Sequence, residues 1–134
     1  MDDSKKIRTY QGLVFQWECD HMNHMNVQYY ISKFDAATWS LFTTMGITPS
    51  YLKENNRGMV AVEQNIKYLS ELVAGECVYI ETELVEVRDK VLKFKHSMYN
   101  QENDKLSSET VVTGLHIDSE LRKAVSMPEF IKRT

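Results

Sequence analysis

The stretch WECDHMNHMNVQYYISKFDAA, Trp17 to Ala37, changes character halfway along. From Asp20 to Asn26 it crowds two His, two Asn and one Asp into seven positions. From Val27 onward the apolar residues Val27, Tyr30, Ile31, Phe34, Ala37, Leu41 and Met45 recur at spacings of three and four, the stripe of an amphipathic helix. Asn26 can cap the first turn by accepting a bond from a free amide. Gly46 can take the left-handed conformation that closes the last turn. The spacing predicts a helix over 27–45, with a polar loop at its N-terminus.

Working outward, IRTYQGLVFQW (7–17) is rich in β-branched and aromatic residues and reads as a first strand. After the helix, a short helical turn is expected beyond Pro49, in SYLKENN. Four strands then follow. GMVAVEQNIKYL is the first, and ECVYIETELVEV places Val78, Ile80, Thr82 and Leu84 on one face. KVLKFKHSMYN sets Leu92, Phe94, His96 and Met98 against Lys93, Lys95, Ser97 and Tyr99. SSETVVTGLHID closes the set, RDK and ENDK are turns, and Pro128 can start a short terminal helix. One long helix cannot bury itself, so its stripe must lie across a mostly antiparallel sheet in an α+β fold.

The totals narrow the function classes. With 134 residues, 43% of them hydrophobic and 26% charged, the chain suits one globular domain, 1–134, rather than a disordered tail. A net charge of −3 gives no general attraction for nucleic acid or an anionic membrane. No apolar run approaches the roughly 20 residues of a membrane span. The charged start MDDSKK does not resemble a secretory signal. Two cysteines, Cys19 and Cys77, form no disulfide framework, so a cytoplasmic setting is expected. No Cys-x-x-Cys or His-Glu-x-x-His spacing points to a metal.

The polar loop has a chemical use. Amides at a helix N-terminus carry partial positive charge and can hold a carbonyl oxygen as negative charge develops on it. A carboxylate beside them, Asp20, could attack that carbonyl or activate a water. By spacing alone this is a weak signal, because an Asp or Asn ahead of a helix is in most proteins only a cap. A thiol mechanism at Cys19 with His24 lacks any third group to orient it. His21 has nothing to recommend it, and His96, alternating with Phe94 and Met98, reads as core. Trp17, Tyr30, Phe34 and Trp39 are most simply core as well.

The run D-x-x-N-H-M-N-V-x-x-Y, Asp20 to Tyr30, resembles the signature D-x-x-G-H-V-N-N-x-x-Y of hotdog-fold thioesterases of the 4-hydroxybenzoyl-CoA thioesterase type. The element order is similar too: in a hotdog an antiparallel five-stranded sheet wraps a long central helix. The subgroup acting on betainyl-CoA is the nearest resemblance. It has a similar G-H-M-N-V-x-Y-Y run, an F-D-x-A on the helix and a Y-L-x-E-L-x-x-G segment, here Asn23–Tyr30, Phe34–Ala37 and YLSELVAG, Tyr68–Gly75.

The resemblance implies an acyl-CoA thioesterase that uses no metal or redox cofactor and meets coenzyme A only as part of its substrate. It makes Asp20 the catalytic carboxylate, His24 the residue that assists catalysis or orients the loop, and Asn26 the residue that pins the loop. The oxyanion donor would be a backbone N–H near Asn26 or Val27. Arg88 and Lys90 match residues that contact coenzyme A phosphates, with Lys93 and Lys95 extending that basic edge. Tyr30 and Glu63 are candidates to line the acyl pocket. Trp17, Tyr29, Tyr30, Phe34 and Trp39 could surround a trimethylammonium group, with Asp35 or Glu63 balancing its charge. Two departures stand out: Asn23 replaces the signature glycine, and Asp89 replaces a basic residue. Hotdog domains pair side by side, so a homodimer or homotetramer is expected. The alternative is a non-catalytic acyl-CoA or acyl-carrier binding domain on the same fold; a hotdog dehydratase is a more distant third.

Overall fold

The computed structural model describes residues 5–133; most of the charged MDDSKK start lies outside that range. The chain runs β1 (Ile7–Leu13), a 3₁₀ turn (Gln16–Glu18), α1 (Val27–Met45), α2 (Pro49–Asn55), β2 (Arg57–Tyr68), β3 (Cys77–Val87), β4 (Val91–Asn100), β5 (Lys105–Asp118), β6 (Lys123–Ala124) and α3 (Glu129–Lys132). The long strands form one antiparallel sheet in the order β1-β3-β4-β5-β2, with β6 pairing to β5. This is the curled sheet and single long helix of the hotdog arrangement, with a two-residue sixth strand added to the expected five. Register shifts in β1, β2 and β3 and at the β4–β5 pairing mark β-bulges, which sharpen strand twist and help a sheet curl.

Helix α1 has the bounds its periodicity predicts. The Asn26 side chain accepts from Gln28 N–H at 3.1 Å. Gly46 closes the other end at φ +101°, with the Phe130 ring so near that a side chain there would collide with it. Tyr30, Phe34 and Ala37 pack on Val78, Ile80 and Met98. Leu41 and Phe42 pack on Leu92, Phe94, Val112 and Ile131. Burial of such a stripe is the main stabilising term for a helix of this kind.

Four expectations fail, one of them the core placement of Trp39, which is 39% exposed and edge-on to Phe42. The first strand stops at Leu13, because the chain turns into the 3₁₀ segment at Gln16. Trp17 is not core: it is 67% exposed, stacked on Phe15 and edge-on to Tyr29. The buried face of α1 is rotated from the simple stripe, leaving Val27 and Ile31 in the open and taking Lys33 inside. Lys33 is tolerated there because Glu18 neutralises it at 2.9 Å, as a buried charge requires.

His96 is fully buried, as its alternation suggests. Its Nδ1 lies 2.6 Å from Thr82 Oγ1 and its Nε2 lies 2.8 Å from Thr38 Oγ1. Thr38 gives its proton to Phe34 O, so it accepts from His96 Nε2–H, and Thr82 donates to Nδ1. Burial accordingly holds the ring neutral, with its pKa down from 6.5 to about 4.

Candidate active site

The loop from Cys19 to Asn26 is fixed at every turn. Asp20 N–H donates to His24 O at 3.0 Å, and Asn23 N–H to Asp20 O at 2.9 Å. Met25 N–H donates to Leu72 O at 2.7 Å and Asn26 N–H to Glu18 O at 2.9 Å. Asn23 has φ +64°, the left-handed region that explains why the signature has glycine there and why asparagine is the next best residue. The departure from the signature therefore costs the loop little.

The helix N-terminus leaves one amide over. Gln28 N–H is taken by the Asn26 side chain and Tyr29 N–H by Asn26 O, while Asn26 N–H is committed to Glu18. Val27 is the first residue of α1, and its N–H has no carbonyl one turn behind it to bond. Val27 also lines a cleft of about 410 Å³ together with His24, Met25, Tyr30, Tyr68, Leu69, Ser70 and Glu71. The first residue of the helix and an imidazole thus border one cleft.

His24 is oriented by a residue that the sequence did not single out. Its Nε2 lies 3.0 Å from Glu71 Oε2, which leaves Nδ1 as the ring nitrogen available to a ligand. Glu71 sits in the YLSELVAG segment, whose Leu72 and Val73 pair with the loop through Met25 and His24. The segment itself was visible in the sequence, but its contact with the loop was not. Tyr68 and Glu18 are further additions: Tyr68 stands edge-on to Tyr30 at 5.1 Å, and Glu18 ties the loop to α1 through Lys33.

Of the residues singled out beforehand, His24, Val27 and Tyr30 share the cleft. Asp20 is close in the chain but not part of the lining of this single-chain cleft; its Oδ1 accepts from Met22 N–H at 2.9 Å. Asn26 is the cap, behind the lining. Glu63 lies exposed on β2, opposite Thr113. Arg88 and Lys90 are in the β3–β4 hairpin, whereas the loop adjoins the start of β3. The 11 residues of β3 separate them, on the order of 35 Å at the usual strand rise. Arg88 is paired with Glu86 at 2.8 Å. Asp89 does local work, holding Lys132 at 2.7 Å and Ser126 at 2.9 Å. Those bonds keep its carboxyl below the usual range. Phe34 is core, stacked on His96, and Trp39 leans on Phe42. Cys19 Sγ points to Phe15 O at 3.7 Å, and both cysteines are free.

Among the described residues no cluster of His, Cys, Asp or Glu is arranged to hold a metal ion. None of their helices is long and apolar enough to cross a membrane.

Residues 14–134 match the thioesterase-like superfamily. A curated relative, L-carnitine dehydrogenase/betainyl-CoA thioesterase of Agrobacterium fabrum, is 30% identical over 131 residues, covering 95% of this chain and 26% of the relative. Its counterpart from a Rhizobium species is 24% identical over 131 residues, covering 98% and 26%. The chain therefore spans about a quarter of the length of these relatives. Among solved structures, a hypothetical protein from Staphylococcus aureus in complex with CoA superposes with TM-score 0.89 at 19% identity, covering 99% of this chain and 84% of that one. A 1,4-dihydroxy-2-naphthoyl-CoA thioesterase from Synechocystis gives 0.83 at 11%, covering 96% and 93%. At such identities these two establish the fold.

Proposed function

The chain belongs to the thioesterase-like superfamily, and from that membership we propose that it hydrolyses an acyl-CoA thioester to the free acid and CoA. The observation that carries the reading is that Val27, the first residue of α1 and so without an intrahelical acceptor for its N–H, lines one cleft with His24. A thioester carbonyl oxygen placed there is stabilised as it gains charge. Asp20 then acts either as nucleophile, forming an acyl-aspartyl anhydride that water hydrolyses to the free acid, or as the base that takes a proton from the attacking water. The carbon–sulfur bond breaks, and the CoA thiolate leaves and is protonated. His24, aimed by Glu71, assists, and Asn26 keeps the Val27 amide free by satisfying its neighbours.

The same reading includes a homodimer. β2 is an outer strand of the sheet, 12 residues long and open along most of its length, with Val62 58% exposed. An unpaired edge of that kind invites a second strand. Antiparallel pairing of β2 with its copy brings the partner's Arg88–Lys90 hairpin to the end of the joined sheet where this chain's cleft lies. It also carries Glu63 to the interface. Arg88 and Lys90 would then meet CoA phosphates in trans. Pairing of two dimers into a tetramer needs other surfaces, since β2 is used once. The two free cysteines suit a cytoplasmic enzyme. The names of the relatives make betainyl-CoA the first substrate to try.

One observation favours a second reading, a non-catalytic acyl-CoA or acyl-carrier binding domain: Asp20 does not line the single-chain cleft. Thiol release from a panel of acyl-CoAs, betainyl, butyryl and benzoyl among them, separates the two. Turnover supports the hydrolase; tight binding of every thioester without turnover supports the binding domain.

A further inference from the structure

The cleft contains a corner whose chemistry is specific. Tyr30 and Tyr68 meet at 87° with ring centroids 5.1 Å apart. Tyr68 is 47% exposed, so its ring is open to a ligand. The Tyr30 hydroxyl is turned toward Ser70 O at 3.5 Å. Glu71 borders the same cleft, and while Oε2 holds His24, Oε1 has no partner among the described residues. Its charge is felt at the rings: burial first, then Glu71, push the Tyr30 hydroxyl up to about 12. No Lys or Arg lines the cleft.

We propose that the exposed ring of Tyr68 and the Glu71 carboxylate form the seat for a quaternary-ammonium head on the acyl group, with the buried Tyr30 ring holding Tyr68 in place edge-on. The inference rests on the hydrolase reading and adds the residues that select the substrate. A trimethylammonium group has no N–H to satisfy, so it needs ring faces and a counter-charge rather than directed acceptors. This corner offers both, in the exposed Tyr68 ring and the Glu71 carboxylate. An anionic acyl group would meet Glu71 unscreened, and a neutral one would draw nothing from it. Of the rings and carboxylates that the sequence suggests, Tyr30 alone lines the cleft: Trp17 and Tyr29 pair with each other, Phe34 is core, Trp39 leans on Phe42, and Asp35 and Glu63 are not in the lining.

The test compares betainyl-CoA with 3,3-dimethylbutyryl-CoA, which has the same shape without the charge. The readout is the ratio of their kcat/KM values in the wild type, Tyr68→Leu, Tyr68→Phe and Glu71→Gln. The wild-type ratio should exceed about ten, the combined effect of a ring face and a counter-charge on a desolvated cation. Tyr68→Leu and Glu71→Gln should each lower it at least fivefold, and Tyr68→Phe, which keeps the ring, should retain it. Using the ratio removes any loss that Glu71→Gln causes through His24. A ratio near one in the wild type, or one that Tyr68→Leu and Glu71→Gln leave unchanged, overturns the seat. If neither thioester is hydrolysed, the hydrolase reading fails, and the seat is then judged separately by calorimetry with the non-hydrolysable thioether analogues. The same charged-over-neutral preference, lost in Tyr68→Leu, upholds it; equal affinities refute it.

Discussion

Lys33 and Glu18 meet inside the protein, Nζ to Oε2 at 2.9 Å, with 4% and 5% of their surfaces exposed. Glu18 spends its other bonds on the loop: Oε1 accepts from Phe15 N–H at 2.9 Å, and its carbonyl accepts from Asn26 N–H at 2.9 Å. One ion pair thus ties the helix to both ends of the segment that carries Asp20.

Lys33→Met leaves the Glu18 carboxylate buried and uncompensated, and should cost about 3–5 kcal/mol in denaturant unfolding. The double variant Glu18→Gln/Lys33→Met should recover a large part of that, because no charge is then stranded. A loss under about 1 kcal/mol in the single variant would mean that the pair is not desolvated in solution.

His96 sets an acid limit on stability. Folded, it titrates near 4 rather than 6.5, so between those values the unfolded chain binds a proton that the folded one does not. Its contribution is full above about pH 6.5 and is lost as pH falls toward 4, a change on the order of 3 kcal/mol. Burial lowers the pKa of His116 as well, adding in the same direction. Unfolding free energy measured from pH 7 to 4 should therefore fall, and His96→Gln should flatten much of the slope. An unchanged slope would contradict the neutral, hydrogen-bonded His96.

At Asn23, φ +64° makes a plain backbone prediction. Asn23→Ala should destabilise by about 1–2 kcal/mol, the cost of a β-carbon in left-handed backbone. Asn23→Gly should stay within a few tenths of the wild type. Equal effects in thermal unfolding would show the loop to be built otherwise.

Val62 lies on the open β2 edge. In sedimentation, the wild type should run as a dimer or tetramer and Val62→Asp as a lighter species, a charge there opposing edge pairing. A wild-type monomer, or an undiminished Val62→Asp assembly, would remove the proposed interface and with it the role of Arg88 and Lys90 in trans.

Much of the architecture was legible because it depends on short-range pattern. The period from Val27 to Met45, with Asn26 and Gly46 as caps, set α1 to its observed bounds, and the alternation in 91–100 marked the buried side of β4. Long-range pairings were not legible. Lys33 lies outside the apolar stripe and its burial depends on Glu18, brought to it by the fold, while Trp17 reads as core until the 3₁₀ turn carries it outside. The site divides in the same way. The motif flagged His24, Val27 and Tyr30, which share the cleft, but Tyr68 and Glu71 arrive there only through the pairing of Met25 with Leu72 and of His24 with Val73. The register of β3, invisible in spacing alone, puts Arg88 and Lys90 at the other end of the sheet.

The central claim is that Asp20 is the reacting carboxylate of a thioester hydrolase, and steady-state thiol release by Asp20→Asn tests it most directly. On the best substrate of the acyl-CoA panel, turnover should fall about a hundredfold or more, the scale expected for loss of a main catalytic group, while the folded state and thioether binding are retained. Turnover within a few-fold of the wild type in a folded Asp20→Asn protein would contradict the account.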